Sequence, residues 1–141
     1  MARQRPRKSI RSEVKDKAHG CCEYCWSQVA FSPDPFAIEH IEPLVHGGSN
    51  ELENLAYACH GCNGKKYDRV SGYDAVTGRD VLLYHPRRDK WDDHFVWQDN
   101  YTQIIGITPT GRATVKLLDL NREGVVNLRI AVRSIGKHPP I

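Results

Sequence analysis

Two Cys-x-x-Cys pairs offer the clearest chemistry in this chain, because each turn of that spacing presents two thiolates to one metal ion. Cys22 and Cys25 form the first pair, and Cys59 and Cys62 form the second. Four thiolates complete a tetrahedron, which predicts one closed, structural zinc site. The fifth cysteine, Cys21, is an alternative to Cys22, but the gap from Cys22 to Cys25 repeats that of the second pair, and we prefer it.

A second set of reactive side chains lies inside or just behind the loop that the zinc would close. Glu39-His40, Asn54 and Asn63 are left over once the four cysteines fill the zinc site. An unperturbed histidine has a pKa of about 6.5, so it is mostly neutral near physiological pH and suits a general base. Carboxylate and amide oxygens suit a hard divalent ion such as Mg2+ or Mn2+. Together these groups could supply a second metal site and a base.

Short elements are predicted to hold these groups in place. Alternation over residues 36–41 favours a strand with Glu39 and His40 on opposite faces. The glycines Gly47-Gly48 predict a loop after that strand. The other elements predicted here are a helix over residues 9–19 that ends at Gly20, an extended segment over residues 52–58, and a helix from Cys62 through Tyr67.

Several motifs follow one another in a fixed order over about residues 10–70. They are Cys22-Glu23-Tyr24-Cys25, Ile38-Glu39-His40-Ile41-Glu42-Pro43, Gly47-Gly48, Asn54-Leu55 and Cys59-His60-Gly61-Cys62-Asn63-Gly64-Lys65-Lys66. This order resembles that of the HNH endonucleases, whose site is a ββα-metal fold. Each motif alone would be weak evidence, but their joint order and spacing is specific. Residues 91–95 and 106–114 also resemble the tail of small standalone bacterial HNH proteins.

The resemblance implies a role for each matched residue. His40 corresponds to the general base, and Glu39 to the acidic metal ligand beside it. Asn63 corresponds to the last motif position, where the family uses His or Asn as a further ligand. Asn54 corresponds to the middle Asn, which braces the loop and orients the base histidine. Glu39 replaces the commoner Asp, and Asn63 is a weaker ligand than His, but both occur within the family pattern.

Simpler explanations exist for the same residues, and we weigh them against the catalytic one. Glu39-His40 as a surface pair at a strand end is the less favoured explanation, because of the motifs that surround it. Asn54 also suits a turn, and Asn63 also suits a helix cap, which is compatible with ligation. The histidines expected to be accessory rather than essential are His46 and His60.

The positive charge of the chain is concentrated at its N-terminus. The net charge is +3, from 20 Lys and Arg against 17 Asp and Glu. Five of those cations fall in residues 1–11, so the remaining 15 cations and 17 acids leave a net charge of −2. Such an arm either tracks phosphates or is only a solvated terminus, and the sequence favours neither. The residues predicted to contact nucleic acid are Arg3, Arg5, Arg7, Lys8, Arg11, Lys65 and Lys66.

The remaining half of the chain is expected to complete the core rather than to read a target, because its large residues are apolar. The sequence predicts strands over residues 80–84, 94–97 and 103–107, a hairpin turn at Asp99-Asn100, and helices over residues 110–120 and 121–135, the second capped by Asn121. The predicted division is a basic arm at residues 1–11, a nuclease core with the zinc site at 12–70, and a packed extension at 71–141.

Composition bounds the remaining possibilities. No apolar stretch follows the positive start and no transmembrane run occurs, so we expect a cytoplasmic protein with reduced thiols and no membrane contact. The expected fold is a single α+β domain in which a small antiparallel sheet and C-terminal helices extend a ββα-metal nuclease centre.

The expected function is that of a metal-dependent DNA endonuclease with structural Zn2+ and catalytic Mg2+ or Mn2+. One alternative is a zinc-stabilised nucleic-acid-binding module without catalysis, against which Glu39, His40 and Asn63 argue. The other is a nuclease that acts on RNA, which nothing in the sequence excludes. Target preference, nicking against double cleavage and oligomeric state stay open.

Overall fold

The computed structural model describes residues 9–140, apart from the side chain of Asp99. Four predicted nucleic-acid contacts lie outside the described residues: Arg3, Arg5, Arg7 and Lys8. Helix α1 spans Ile10–Lys17, and the Ser9 side chain caps it by accepting a hydrogen bond from the Ser12 amide. Gly20 follows with a positive φ of 72°, a conformation that glycine adopts without strain. The predicted first helix and its stop are confirmed.

A hairpin and a helix form the centre of the first half. Strand β1, Ala37–His40, pairs antiparallel with strand β2, Leu55–Ala58. Helix α2, His60–Lys66, follows β2 after one residue. The helix begins earlier than predicted because the Cys59 sulfur accepts a hydrogen bond from the Cys62 amide and caps the first turn. This order is the ββα arrangement that the sequence predicts.

The second half adds two further hairpins rather than one small sheet. Its elements are strands β3 (Ser71–Asp74), β4 (Arg79–Leu82), β5 (Phe95–Trp97) and β6 (Ile104–Gly106), and helices α3 (Trp91–His94), α4 (Pro109–Leu118) and α5 (Glu123–Ser134). β3 pairs with β4, and β5 pairs with β6, both antiparallel. The sequence did not predict β3, because Ser71-Gly72-Tyr73-Asp74 lacks apolar alternation.

Asn121 is not the cap of the last helix, contrary to the prediction. Helix α5 begins at Glu123, and Arg122 precedes it. The Asn121 Oδ1 accepts a hydrogen bond from the Ile104 amide at 2.7 Å, and its Nδ2 donates to the Ile104 carbonyl at 2.8 Å. The Asn121 side chain therefore pairs with the backbone of the first residue of strand β6 instead of capping helix α5.

One continuous apolar core joins the two halves. Cys22 and Tyr24 from the first half belong to the same buried cluster as Phe95, Leu118 and Val125 from the second. Helix α1 packs on β2, and helix α4 packs on both α2 and the β3–β4 hairpin. Over residues 9–140, none of the helices combines the length and apolar character that crossing a membrane requires.

Candidate active site and zinc site

The four cysteines of the two Cys-x-x-Cys pairs converge on one point. Their sulfur atoms all lie within 4.8 Å of one another, and all four residues are buried. Cys25 Sγ and Cys59 Sγ are 3.7 Å apart. A tetrahedron with Zn–S bonds of about 2.3 Å has sulfur atoms about 3.8 Å apart, so the cluster fits a structural zinc. Cys21 lies outside the cluster and its thiol donates to the His19 carbonyl, which confirms the preference for Cys22.

Arg122, between helices α4 and α5, lies over the cysteine cluster. Its Nη2 donates to Cys59 Sγ at 3.4 Å, and its Nη1 to Cys62 Sγ at 3.6 Å. The guanidinium covers Gly61 so closely that a Cβ at that position would collide with it. Burial opposes the charge of Arg122, but the thiolates outweigh burial and raise its pKa. The guanidinium therefore offsets part of the negative charge that four thiolates bring to a zinc ion.

The carboxylate of Glu39 faces the interior side of strand β1. Tyr24 donates its hydroxyl to Glu39 Oε1 at 2.6 Å, and Lys66 Nζ lies 3.0 Å from Oε2. Lys66 Nζ also donates to the Ile41 carbonyl at 2.8 Å. Burial raises the pKa of Glu39, and the charge of Lys66 and the hydrogen bond from Tyr24 oppose that rise. Among the described residues, none donates a well-aligned hydrogen bond to Oε2, so Lys66 meets it only as an ion pair.

The imidazole of His40 lies on the opposite face of β1, as the alternation predicts. Its Nε2 is 2.8 Å from Asn50 Oδ1. Because an amide oxygen only accepts, this contact places the proton on Nε2 and leaves the Nδ1 lone pair to accept a proton. Asn50 was not predicted, since the sequence shows it only as the last residue of a Gly-Gly-Ser-Asn turn.

Asn54 holds the loop between the strands rather than touching His40. Its Oδ1 accepts from the Glu42 amide at 2.8 Å, and its Nδ2 donates to the carbonyls of Glu42 at 2.9 Å and Ser49 at 2.7 Å. Gly48 lies so close to the Glu42 carbonyl that any Cβ would collide with it. The bracing expected of Asn54 is present, and the direct contact to the histidine comes from Asn50 instead.

One open groove brings the predicted catalytic residues together. It has a volume of about 460 Å³, and its lining includes Glu39, His40 and Asn63. Val45 and Tyr67 form part of its rim and are 80% and 76% exposed. Because Asn54 braces the loop from behind, it is not part of this lining. Asn63, 23 residues after His40, thus lines the same groove as the adjacent pair Glu39 and His40.

Comparison with known proteins agrees with this geometry. Residues 22–69 match the family model of the HNH endonucleases. The chain contains an HNH endonuclease domain. The match includes the four zinc cysteines and the groove residues, and it leaves residues 70–141 outside. No curated protein and no solved structure matches the chain, so the standalone bacterial type stays a prediction.

The donor atoms of the HNH groove fit a hard divalent ion. Glu39 offers a buried carboxylate oxygen, Oε2, that lacks a hydrogen bond from the described residues, and Asn63 offers an amide oxygen. Within residues 9–140, the cysteine cluster is the only group of three or more His, Cys, Asp or Glu side chains suited to one ion. An ion in the groove would therefore keep several waters, as Mg2+ does.

The predicted phosphate contacts occupy different environments in the HNH domain. Lys65 lies 3.8 Å from Asp119 and is 44% exposed, so it stays accessible to a polyanion. Lys66 is 1% exposed, and its ammonium is held by Glu39 and Ile41. The prediction that Lys66 contacts phosphate does not agree with this buried position. Arg11 belongs to α1 rather than to a free arm, and it donates to the Phe36 carbonyl at 2.7 Å.

Three partners of the HNH site were missed by sequence reasoning, and each for the same reason. Asn50, Tyr24 and Arg122 contact His40, Glu39 and the zinc cysteines only because the fold brings distant segments together. Tyr24 lies inside the first knuckle motif, which was the one available signal. The two accessory histidines, His46 and His60, are exposed.

Proposed function

We propose that the chain is a metal-dependent endonuclease that hydrolyses DNA phosphodiester bonds in the groove between strand β1 and helix α2. The observation that carries the proposal is the imidazole of His40, hydrogen-bonded to Asn50 and lining the same groove as Glu39 and Asn63. The match of residues 22–69 to the HNH family supports a nucleic-acid substrate. The choice of DNA as the substrate and the role given to each residue are part of the proposal.

His40 serves as the general base in this proposal. Asn50 fixes the proton on Nε2, so Nδ1 takes a proton from the water that attacks phosphorus. The leaving oxygen then departs from phosphorus with the bonding electron pair and receives a proton from solvent. Because His40 lies half-buried on the open face of β1, the imidazole can exchange that proton with solvent after each turnover.

Glu39 and Asn63 would hold the divalent ion. When bound, such an ion neutralises negative charge that develops on the phosphate and on the leaving oxygen. The residues themselves supply oxygen donors of the type that Mg2+ and Mn2+ prefer. A zinc ion on the four cysteines would have its four positions filled and would therefore serve the fold.

An adjoining cavity offers a path for the nucleic-acid strand. The cavity has a volume of about 590 Å³ and shares Asp68 with the active groove. Arg69 and Lys116 line it, and both are exposed. Tyr73, 54% exposed, also lines it and presents an aromatic surface to a base. We assign this cavity to phosphates adjacent to the cleaved bond.

We also propose that the protein is cytoplasmic and that its thiols stay reduced.

One assay tests the proposal and separates it from its alternatives. Purified zinc-loaded protein is incubated with supercoiled plasmid, linear duplex DNA and structured RNA, each with EDTA, Mg2+ or Mn2+. The proposal expects cleavage of DNA that requires Mg2+ or Mn2+ and is lost in His40→Ala. Cleavage of RNA alone would replace DNA as the substrate. Binding without cleavage under every condition would leave a nucleic-acid-binding module and defeat the proposal.

A further inference from the structure

A buried ammonium lies beside the carboxylate that the proposed function assigns to the divalent ion. Lys66 is the last residue of helix α2, and 1% of it is exposed. Its Nζ lies 3.0 Å from Glu39 Oε2 and 2.8 Å from the Ile41 carbonyl oxygen. Glu39 Oε1 is engaged separately, by the Tyr24 hydroxyl. The two carboxylate oxygens therefore have different partners.

The oxygen beside Lys66 is the one best suited to a metal ion. Oε1 accepts a short hydrogen bond from Tyr24, whereas Oε2 has only the ion pair. A divalent ion on Oε2 would lie within a few ångströms of the Lys66 ammonium, and like charges at that separation repel strongly away from water. Lys66 and the ion would therefore compete for the same carboxylate oxygen, Oε2.

A purely structural role explains this pair less well. Burying two charges carries a large desolvation penalty, and a buried ion pair is weak evidence for stability. Apolar residues of similar size would fill the space between α2 and β1 at lower cost. A lysine at this position is explained if its ammonium neutralises the Glu39 carboxylate whenever a metal cation is not bound there.

We propose that Lys66 is an internal counter-cation that competes with the divalent ion for Glu39. Without the ion, Lys66 compensates the buried carboxylate and holds it in place. When the ion binds, the ammonium leaves Oε2 and keeps its bond to the Ile41 carbonyl. Lys66 is thus a positioning residue that acts through Glu39 and weakens ion binding by the free protein. This inference rests on the proposed assignment of Glu39 as an ion ligand.

The chain offers a matched set of variants. Lys66→Met removes the charge but keeps an unbranched apolar side chain, and Lys66→Arg keeps the charge. Lys65→Met is the control, because Lys65 is the neighbouring lysine on α2 and its side chain is 44% exposed. The double variant Lys66→Met with Glu39→Gln removes both charges of the pair, so it tests whether any effect of Lys66 passes through Glu39.

Binding of Mn2+ to the zinc-loaded protein without DNA is measured by titration calorimetry. We expect Lys66→Met to bind Mn2+ about tenfold to a hundredfold more tightly than the wild type, the usual range for a neighbour of a metal ligand. Lys66→Arg and Lys65→Met should bind like the wild type, and the double variant should lose the gain. Equal or weaker binding by Lys66→Met would overturn the inference.

A second measurement is made on the wild-type protein, and Lys66→Arg serves only to assign the signal. The protons of a buried lysine ammonium exchange slowly with water, so the 15N signal of Lys66 is observable, and its loss in Lys66→Arg identifies it. Saturating Mg2+ should shift that signal or remove its protection in the wild type. An unchanged signal with Mg2+ bound would overturn the inference. Nuclease activity is scored separately, so tighter Mn2+ binding by Lys66→Met without cleavage would defeat the proposed function alone.

Discussion

Strand β1 separates two kinds of side-chain environment within two consecutive residues. Glu39 faces the interior, where Tyr24 and Lys66 hold it, and His40 faces the open groove, where Asn50 contacts it. A base must exchange protons with solvent, whereas a metal ligand benefits from a fixed position. The alternation of a strand supplies both environments without a change in backbone conformation.

Replacing His40 by alanine is expected to lower the cleavage rate by about 10²–10⁴, because general-base assistance is lost. Asn50→Ala should cause a smaller loss of roughly fivefold, because one orienting hydrogen bond is worth about 1 kcal/mol. His60→Ala is the matched control, since His60 is exposed and does not line the groove. Single-turnover cleavage rates and zinc content are measured for each. A folded His40→Ala protein that cleaves at the wild-type rate would show that another group is the base.

The sequence was sufficient for the residues whose roles are encoded in local spacing. Cys22, Cys25, Cys59 and Cys62 meet as predicted because each pair needs only one turn of chain to present two sulfur atoms. Lys66 was misplaced because the sequence does not show which face of α2 it occupies. A lysine at a helix end is usually solvated, and here the approach of β1 buries it.

At the scale of elements, the loop between α4 and α5 contacts the cysteines of the zinc site. Arg122 donates to two of the four sulfur atoms and lies against Gly61 in the second Cys-x-x-Cys turn. Arg129, from α5, is 2% exposed and donates to the Cys25 carbonyl at 3.1 Å. Two arginines from outside the HNH match therefore hold both Cys-x-x-Cys turns.

Arg122→Ala is expected to accelerate loss of zinc to a chelator by about tenfold to a hundredfold, because a group that donates to metal ligands typically contributes that much to affinity. Gly61→Ala should have the same direction of effect, since the added Cβ would displace the guanidinium. Arg133→Ala is the control, because Arg133 is an exposed arginine on α5. Zinc transfer to a colorimetric chelator is followed at several temperatures. Wild-type transfer rates in both Arg122→Ala and Gly61→Ala would show that the contact does not retain the metal.

Elements with a strong local signal were predicted, and those that depend on packing were not. The hairpin of β5 and β6 forms around the predicted turn, where Asn100 has a positive φ of 67°. Strand β3 was missed because Gly72 carries no apolar side chain. Its place is set by close packing, since a Cβ there would lie 3.2 Å from Leu83. That information is tertiary and absent from local periodicity.

At the scale of the whole molecule, stability should fall on mild acidification. Burial lowers the pKa of His138, with Arg129 and Arg133 adding to the effect, and its Nε2 donates to the Tyr101 carbonyl at 2.7 Å. A depressed pKa contributes stability that is fully present above the unfolded value of about 6.5 and is lost as pH falls through the folded value. His85 should contribute to the pH dependence of stability in the same direction, because burial also lowers its pKa.

The free energy of unfolding should therefore decrease as pH falls below about 6.5, and His138→Gln should flatten that dependence. Urea unfolding between pH 5 and pH 8 provides the measurement, with His19→Gln as an exposed control. A pH profile that is identical in wild type and His138→Gln would contradict the prediction. The zinc content is monitored throughout so that metal loss is not mistaken for histidine protonation.

Residues 1–8 of the N-terminal arm lie outside the described residues, and their role stays a prediction. The chain beyond residue 11 has a net charge of −2, from 15 cations and 17 acids. Each phosphate neutralised on duplex DNA contributes about −0.9 to the slope of log affinity against log salt, so deletion of residues 1–8 should flatten that slope. Binding isotherms at several salt concentrations decide the point, and turnover at saturating DNA should stay unchanged. An unchanged slope would identify the arm as a solvated terminus.

Cys21 should contribute little to the reaction of this protein with oxidants and alkylating reagents. Burial, reinforced by the nearby Cys25 and Glu23, raises the pKa of its thiol to about 11, and 3% of the residue is exposed. Since the thiolate is the reactive form, Cys21 should be almost inert at neutral pH. The remaining cysteines are the zinc-site cysteines. Reactive thiols should therefore appear only as zinc leaves, which makes a thiol-labelling time course a direct record of metal loss.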